Sequence, residues 1–277
     1  MSSLSLLTLN CYNFPPLISY FGSSLRKDDQ RIKKLADAFL KIAPQPDILT
    51  CQELWSLKNR SVLFTKIKDS YPYKFEDPHS SFFTLGSGLA IYSQYPIEKV
   101  ELHRFKYWRG LHEFFAKKGF IIAKIRVDGK PIYVVATHLQ AGAKNDLYLS
   151  PYCKMATHEI RAEQLKQINR EVESFIKKDA PGTKMSDHPV FLTGDLNMHP
   201  NEKEYSNINL AFSNAKNLAK KVQSYAGTSF DKSGHIEPKM IDHIISVGKK
   251  VEGASEIIPD IDYTISDHLA VLGNVQL

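Results

Sequence analysis

Pro189-Val190-Phe191-Leu192-Thr193-Gly194-Asp195-Leu196-Asn197-Met198-His199-Pro200 is the stretch on which the reading of this chain turns. Val190 to Thr193 is an apolar run of strand length that stops at Gly194-Asp195-Leu196-Asn197. Side chains alternate across a strand, so Asp195 and Asn197 are expected on one side with Leu196 anchored in the core. A carboxylate and an amide on one strand edge could hold water, metal or phosphate. Asp and Asn are equally at home as turn formers, and the rest of the chain decides between the two readings.

Immediately upstream, Thr157 to Lys178 places Ile160, Leu165, Ile168, Val172, Phe175 and Ile176 at helical spacing, which predicts a long helix covering a sheet. Downstream come a helix near Glu202 to Phe212, a loop through Gly227 and Gly234, and strands over Met240 to Val247 and Ala270 to Val275. The N-terminal half opens with a buried strand, Ser5 to Cys11, then a helix over Arg31 to Ile42 and a second buried strand, Ile48 to Cys51, ending at Gln52-Glu53. Residues 59–69 read as helical. Short strands follow at Gly88 to Ser93, Ile97 to Arg104, Gly119 to Val127 and Ile132 to Thr137, the last two joined by the hairpin signal Asp128-Gly129. Two halves that each mix strands with covering helices predict an α/β (α+β) fold. Its form is a four-layer α-β-β-α sandwich with two packed mixed sheets, in one domain spanning residues 1–277.

The composition, 43% hydrophobic and 24% charged, belongs to a globular chain rather than a disordered one. An excess of 36 Lys and Arg over 30 Asp and Glu favours anionic partners without choosing among nucleic acid, phosphoesters and an acidic membrane surface. Three cysteines are too few for a disulfide framework. The N-terminus carries no secretory signal pattern, and no window approaches 18 uncharged apolar residues. These features predict a cytoplasmic or peripheral membrane location, or export by a signal-independent route.

Polar residues recur where the strands stop: Asn10, Glu53, His138, Asp195 with Asn197, Asp242 with His243, and Asp267-His268. Each has an ordinary alternative as a turn residue, a helix cap or a satisfied core histidine. Asp242 is harder to dismiss, because a carboxylate between Ile241 and Ile244 in an apolar strand needs a hydrogen-bonding or charged partner. In order, Asn10, Glu53, Thr137-His138-Leu139, Gly194-Asp195-Leu196-Asn197, Ile241-Asp242-His243 and Ser266-Asp267-His268 resemble the endonuclease/exonuclease/phosphatase superfamily, including deoxyribonuclease I-like enzymes. The resemblance implies the same four-layer fold and metal-dependent phosphoester hydrolysis, with Mg²⁺ as cofactor and Mn²⁺ or Co²⁺ as substitutes. It makes Glu53 the direct metal ligand, with Asn10 beside it and Asp267 acting through water, as suits a hard cation. His268 becomes the general base held by Asp242, and Asp195 orients water or base. Asn197 donates to a phosphate oxygen, and His138 stabilises the transition state or the leaving group.

Finer motifs are similar to those of neutral sphingomyelinases. They are Asn10-Cys11-Tyr12-Asn13 with Pro15-Pro16, Glu53-Leu54-Trp55, Gly86 through Ser93 with Tyr95-Pro96-Ile97, Thr137 through Ala141, and the helix carrying His158, Arg161 and Gln164. Glu113-Phe114-Phe115-Ala116-Lys117-Lys118-Gly119 matches a segment in which Asp is usual at the first position. It implies Lys118 near phosphate, with Gly119 permitting close backbone approach. This branch implies a phospholipase C-type phosphodiesterase cleaving sphingomyelin to ceramide and phosphocholine at a membrane surface, as a peripheral monomer. Phe14 to Phe21 is an apolar loop suited to lipid contact or to folding onto the core. A nuclease acting on DNA or RNA, and an enzyme acting on lysophospholipid or phosphoinositide, are the alternatives, with nucleic acid the less favoured partner.

Overall fold

In the computed structural model, described for residues 3–14, 28–78, 85–142, 154–218, 240–258, 261 and 264–277, strand alternation sorts apolar side chains into separate layers. Strand β1 (Ser3–Asn13) turns Leu7, Leu9 and Cys11 to one face and Leu4 and Leu6 to the other. Strands β6 (Gly119–Val127) and β7 (Lys130–His138) do the same, with Ile121, Ala123, Val134 and Ala136 on one side and Phe120, Ile122, Tyr133 and Val135 on the other. Strands with both faces apolar must be covered on both faces.

One six-stranded sheet has the order β11-β12-β1-β2-β4-β3 and the other β5-β6-β7-β8-β10-β9. The first sheet is built from β1, β2 (Ile48–Leu54), β3 (Tyr73–Glu76), β4 (Ala90–Ser93), β11 (Glu252–Ile258) and β12 (Ala270–Gln276). The second comprises β5 (Ile97–Arg104), β6, β7, β8 (Val190–Asp195), β9 (Lys216–Asn217) and β10 (Asp242–Ser246). Between the sheets lie Leu4, Leu6, Ile48 and Ile91 against Ile121, Val134, Phe191 and Ile244. Helices α1 (Asp28–Lys41) and α2 (Leu57–Ile67) cover the outer face of the first sheet through Leu35, Phe39, Leu63 and Ile67. Helix α4 (Thr157–Asp179) covers the second through Leu165, Ile168, Val172 and Phe175. Two shorter helices, α3 (Leu111–Ala116) and α5 (Ser206–Ala211), complete the set among the described residues. This is the expected four-layer α-β-β-α sandwich.

Local departures have physical causes. The helix expected over Glu202 to Phe212 is a 3₁₀ turn, Lys203–Tyr205, followed by α5. No periodicity in residues 248–265 predicts a strand, yet β11 pairs with β12 along its whole length. As an edge strand with only Ser255 and Ile258 buried, it needs few apolar positions. The hairpin at Asp128-Gly129 forms as expected, with both residues at positive φ. Cys11 and Cys51 are buried free thiols, whereas Cys153, Gly227, Gly234 and residues 15–21 of the apolar loop lie outside the described residues. Among those described, no helix is long and apolar enough to cross a membrane.

The layer between the sheets changes character along its length, and that change makes the site. Going along β1 the inward residues run Leu4, Leu6, Thr8, Asn10, and along β8 they run Phe191, Thr193, Asp195. Thr8 and Gln52 bond each other across β1 and β2, the Gln52 amide donating to Thr8 Oγ1 at 3.1 Å. The parallel pairs β1/β2 and β7/β8 therefore end together with polar side chains in an otherwise apolar layer.

Candidate active site

Asp195 stands at the centre, and the sheet registers bring its neighbours to it. His138 is its Cα partner on β7, and Asp242 is its partner on antiparallel β10. This crowding is why residue 194 is Gly. A Cβ there would lie 1.9 Å from the Thr137 carbonyl oxygen, and φ is +134°.

Asp195 Oδ2 receives the Asn10 amide at 3.2 Å, faces His138 Nε2 at 3.4 Å and lies 3.9 Å from His268 Nε2. Its other oxygen accepts the Asn197 backbone N–H at 2.9 Å. His268 Nδ1 and Asp242 Oδ2 are 2.8 Å apart, forming the expected dyad. The Ser266 hydroxyl binds the dyad to β1: it donates to the Asn10 carbonyl at 2.6 Å and accepts the His268 N–H at 3.1 Å. Arg31 closes the same corner, donating to the carbonyls of Ile265 and Tyr12, both at 2.6 Å. Ser266 stands in the Ser266-Asp267-His268 motif without an expected role of its own, and nothing in the sequence marks Arg31 for this one.

Glu53 reaches the site by breaking the strand rule. Leu49 and Cys51 face the helices, so alternation would send Glu53 there too. Instead Glu53 adopts φ +52°, Leu54 takes the helix-facing place, and Glu53 Oε1 comes within 3.9 Å of His138 Nε2. A left-handed non-glycine residue costs of order 1–3 kcal/mol and persists where the surroundings impose it. Asn197 also sits at φ +51° beyond the end of β8, so the alternation expected for Asp195 and Asn197 does not govern it. Its amide donates to the Leu139 carbonyl at 3.1 Å.

The electrostatics divide these groups. Burial, and then the charge of Asp267, push the Glu53 carboxyl up to about 7. Asp267 is raised to about 6 by burial. Glu53 Oε2 and Asp267 Oδ1 are buried without a hydrogen-bond partner among the described residues. Two carboxylates whose charged forms burial penalises and that keep bare oxygens fit a hard divalent cation. Asn10 fits less directly, since its Oδ1 already accepts the Tyr12 N–H at 3.1 Å. Asp195, Asp242 and His268 also bring ligand atoms within 4.8 Å of one another, but the short His268–Asp242 bond commits two of the three to each other. Burial would lower the His268 imidazole; Asp242, then Asp195 and Asp267, override it and raise it to about 10. Burial, Lys118 and His268 hold His138 well below the usual imidazole range, so it is a neutral ring.

Lys118 borders the site rather than standing free in it. Its Nζ lies 2.8 Å from Glu113 Oε1 and donates to the Leu139 carbonyl at 3.1 Å. That carbonyl therefore receives both residues expected to handle phosphate, Lys118 and Asn197. Gly119 does permit a close approach, but to backbone: a Cβ there would lie 2.0 Å from the His103 carbonyl oxygen on β5. The segment after His138 is held by residues whose motif match gave no role. Gln140 N donates to Gln164 Oε1 at 2.9 Å, its carbonyl accepts from Arg161 at 3.0 Å, and Arg161 pairs with Glu204. His158 on the same helix is exposed.

His243 is a core histidine, distinct from its neighbour in the dyad. Its Nε2 meets the Met198 carbonyl at 2.9 Å and its Nδ1 meets the Asn217 amide at 3.3 Å, so it pins the turn that follows Asn197. Burial lowers its pKa to about 4. A depressed pKa contributes stability that is present above the unfolded value near 6.5 and lost as pH falls toward 4. Relative to His243→Gln, the wild type should lose up to ~3 kcal/mol of stability between pH 6.5 and 4. Denaturant unfolding of both proteins across that range checks this, and a constant difference between them would refute it.

A model of the Endonuclease/Exonuclease/phosphatase family matches residues 7–268, and the chain belongs to that family. Within it, the chain is similar to phospholipase C and sphingomyelinase sequences. A phospholipase C of Staphylococcus aureus is 30% identical over 199 residues, covering 65% of this chain and 53% of that protein. Sphingomyelin phosphodiesterase 2 of Rattus norvegicus is 28% identical over 227 residues, covering 76% of this chain and 46% of that protein. A beta toxin of Staphylococcus aureus solved with bound magnesium ions shares the fold, with a TM-score of 0.77 and 21% identity over 98% of this chain and 99% of that one. The chain spans about half the length of the curated relatives it matches.

Proposed function

We propose that this chain hydrolyses sphingomyelin to ceramide and phosphocholine, as a divalent-cation-dependent phosphodiesterase of phospholipase C type. The observation that carries the reading is the pairing of two unlike halves around Asp195. On one side is a His268–Asp242 dyad at 2.8 Å, and on the other two half-buried carboxylates, Glu53 and Asp267, each with one buried, unpartnered oxygen. Motif likeness to sphingomyelinases, together with the relatives' names, supports the lipid substrate.

His268 Nε2 accepts a proton from the attacking water, and Asp242 holds the ring by Nδ1 so that Nε2 points inward. Asp195, 3.9 Å from that nitrogen, orients the water. The water oxygen bonds to phosphorus, the bond from phosphorus to the ceramide oxygen breaks, and that oxygen takes a proton from solvent to leave as ceramide, while the neutral His138 ring stabilises charge on the phosphoryl or leaving oxygen. Mg²⁺ held by Glu53 and Asp267, or Mn²⁺ or Co²⁺ in its place, would supply positive charge to phosphate and alkoxide and offset the carboxylates that keep His268 protonated. Lys118 and Asn197, joined at the Leu139 carbonyl, line the side where phosphate oxygens would lie.

The test is a panel of sphingomyelin vesicles, lysophosphatidylcholine, phosphoinositide vesicles, nicked plasmid and single-stranded RNA, each with Mg²⁺ or chelator. Phosphocholine release from sphingomyelin, abolished by chelator, is expected. Robust nucleic-acid cleavage without phosphocholine release would replace this reading by the nuclease one, which the net charge of +6 otherwise favours.

A further inference from the structure

Helix α3 and its flanks carry the described molecule's most concentrated exposed aromatic surface. Phe114 and Phe115 are adjacent and 37% and 40% exposed, and their rings pack edge to face at 5.3 Å. Trp108 joins them 5.7 Å from Phe114, and the Lys117 ammonium lies over the Phe114 ring at 4.4 Å. Beside them is a hollow of about 320 Å³ lined by Arg104, Phe105, Trp108, Glu113 and the two lysines 117 and 118. Phe114 and Phe115 stay exposed and Trp108 half-exposed, although the fold has three apolar layers in which to place such rings.

The geometry points to this segment as a bilayer-docking surface, with Trp108, Phe114 and Phe115 entering the headgroup region of a phospholipid membrane and Lys117 meeting lipid phosphate. The inference rests on the phospholipid reading above and names the surface that would serve it. Three aromatic rings form too small a patch for a stable protein interface, which covers about 800 Å² on each partner. Aromatic rings flanked by a cation are the composition suited to the boundary between headgroups and acyl chains. The connection to the site is covalent and short. Glu113, on the same helix, accepts the Ala141 N–H at 3.1 Å, and Lys118, just after it, donates to the Leu139 carbonyl. A membrane engaged by the exposed side of residues 108–117 thus lies one helix away from the residues expected to handle phosphate.

The test is cosedimentation with sphingomyelin/phosphatidylcholine/phosphatidylserine vesicles in chelator, comparing wild type with Phe114→Ser/Phe115→Ser. Both side chains are exposed, so equal thermal unfolding should confirm that the variant folds. Its partition constant should fall at least about tenfold, while hydrolysis of a water-soluble phosphocholine ester stays within about twofold. A second measurement needs no substitution. The chain has two tryptophans, and Trp55 is buried, so brominated lipids should quench the Trp108 share of the emission. Undiminished partitioning of the variant, absence of quenching, or a wild-type dimer that the double substitution dissolves would overturn the inference. Vesicle binding through these rings without phosphocholine release on adding Mg²⁺ would uphold the surface and sink the substrate reading instead.

Discussion

Replacing His268 by Ala is expected to lower turnover on sphingomyelin by ~10²–10⁴-fold, the range typical of a positioned general base. The magnitude follows from geometry. His268 Nε2 is the dyad's free nitrogen, it looks toward Asp195, and Nδ1 is tied to Asp242 at 2.8 Å. A pH profile adds a signature that loss of folding does not imitate. Asp242, the largest influence raising the His268 pKa against its burial, keeps the ring protonated to higher pH, and only the neutral ring can accept a proton. Asp242→Asn should therefore shift the rising limb of the rate profile to lower pH while reducing its maximum. A fully active His268→Ala variant, or an unmoved limb in Asp242→Asn, would remove the dyad from the mechanism.

The second large effect is expected at Glu53. Glu53→Gln should cost more than the ~10–100-fold typical of outer partners of a metal ligand, because the carboxylate itself is removed. The accompanying readout is stability rather than rate. At 100 times its Kd, Mg²⁺ should stabilise the wild type by ~2.7 kcal/mol and the variant by much less. In chelator the order should reverse. Burial and Asp267 raise the Glu53 pKa to about 7, so its contribution is favourable below the unfolded value near 4.5 and lost as pH rises through 7. Above pH 7 the metal-free variant should then be the more stable protein. Calorimetry of both proteins with Mg²⁺ and with chelator checks this, and an unchanged Mg²⁺ response in Glu53→Gln would move the metal elsewhere.

The layers of the fold were legible because they depend on local periodicity. The two-residue alternation of β6 and β7 and the helical stripe of α4 state which faces are apolar, and covering those faces leaves few architectures. Strand β11 was not legible, since an edge strand buries so little that its composition carries no pattern. The candidate site was legible as a set of strand-end residues in order, Asn10, Glu53, His138, Asp195, Asp242 and His268. The aromatics of α3 carry no sign in the sequence beyond their place beside Lys118, because exposure is a property of the fold and not of the dipeptide Phe114-Phe115.

Residue type and short-range period thus marked the candidate residues in the chain and the strands that end with them. Only the tertiary structure decided how they meet. Alternation sends Glu53 to the helical face, and a left-handed backbone turn at that one residue returns it to His138. Sheet register sets His138 and Asp242 on either side of Asp195, and the hydroxyl of Ser266 binds the end of β1 to His268. Such contacts join residues up to 256 positions apart, and no local pattern encodes a distance between segments whose separation is closed only when the two sheets pack.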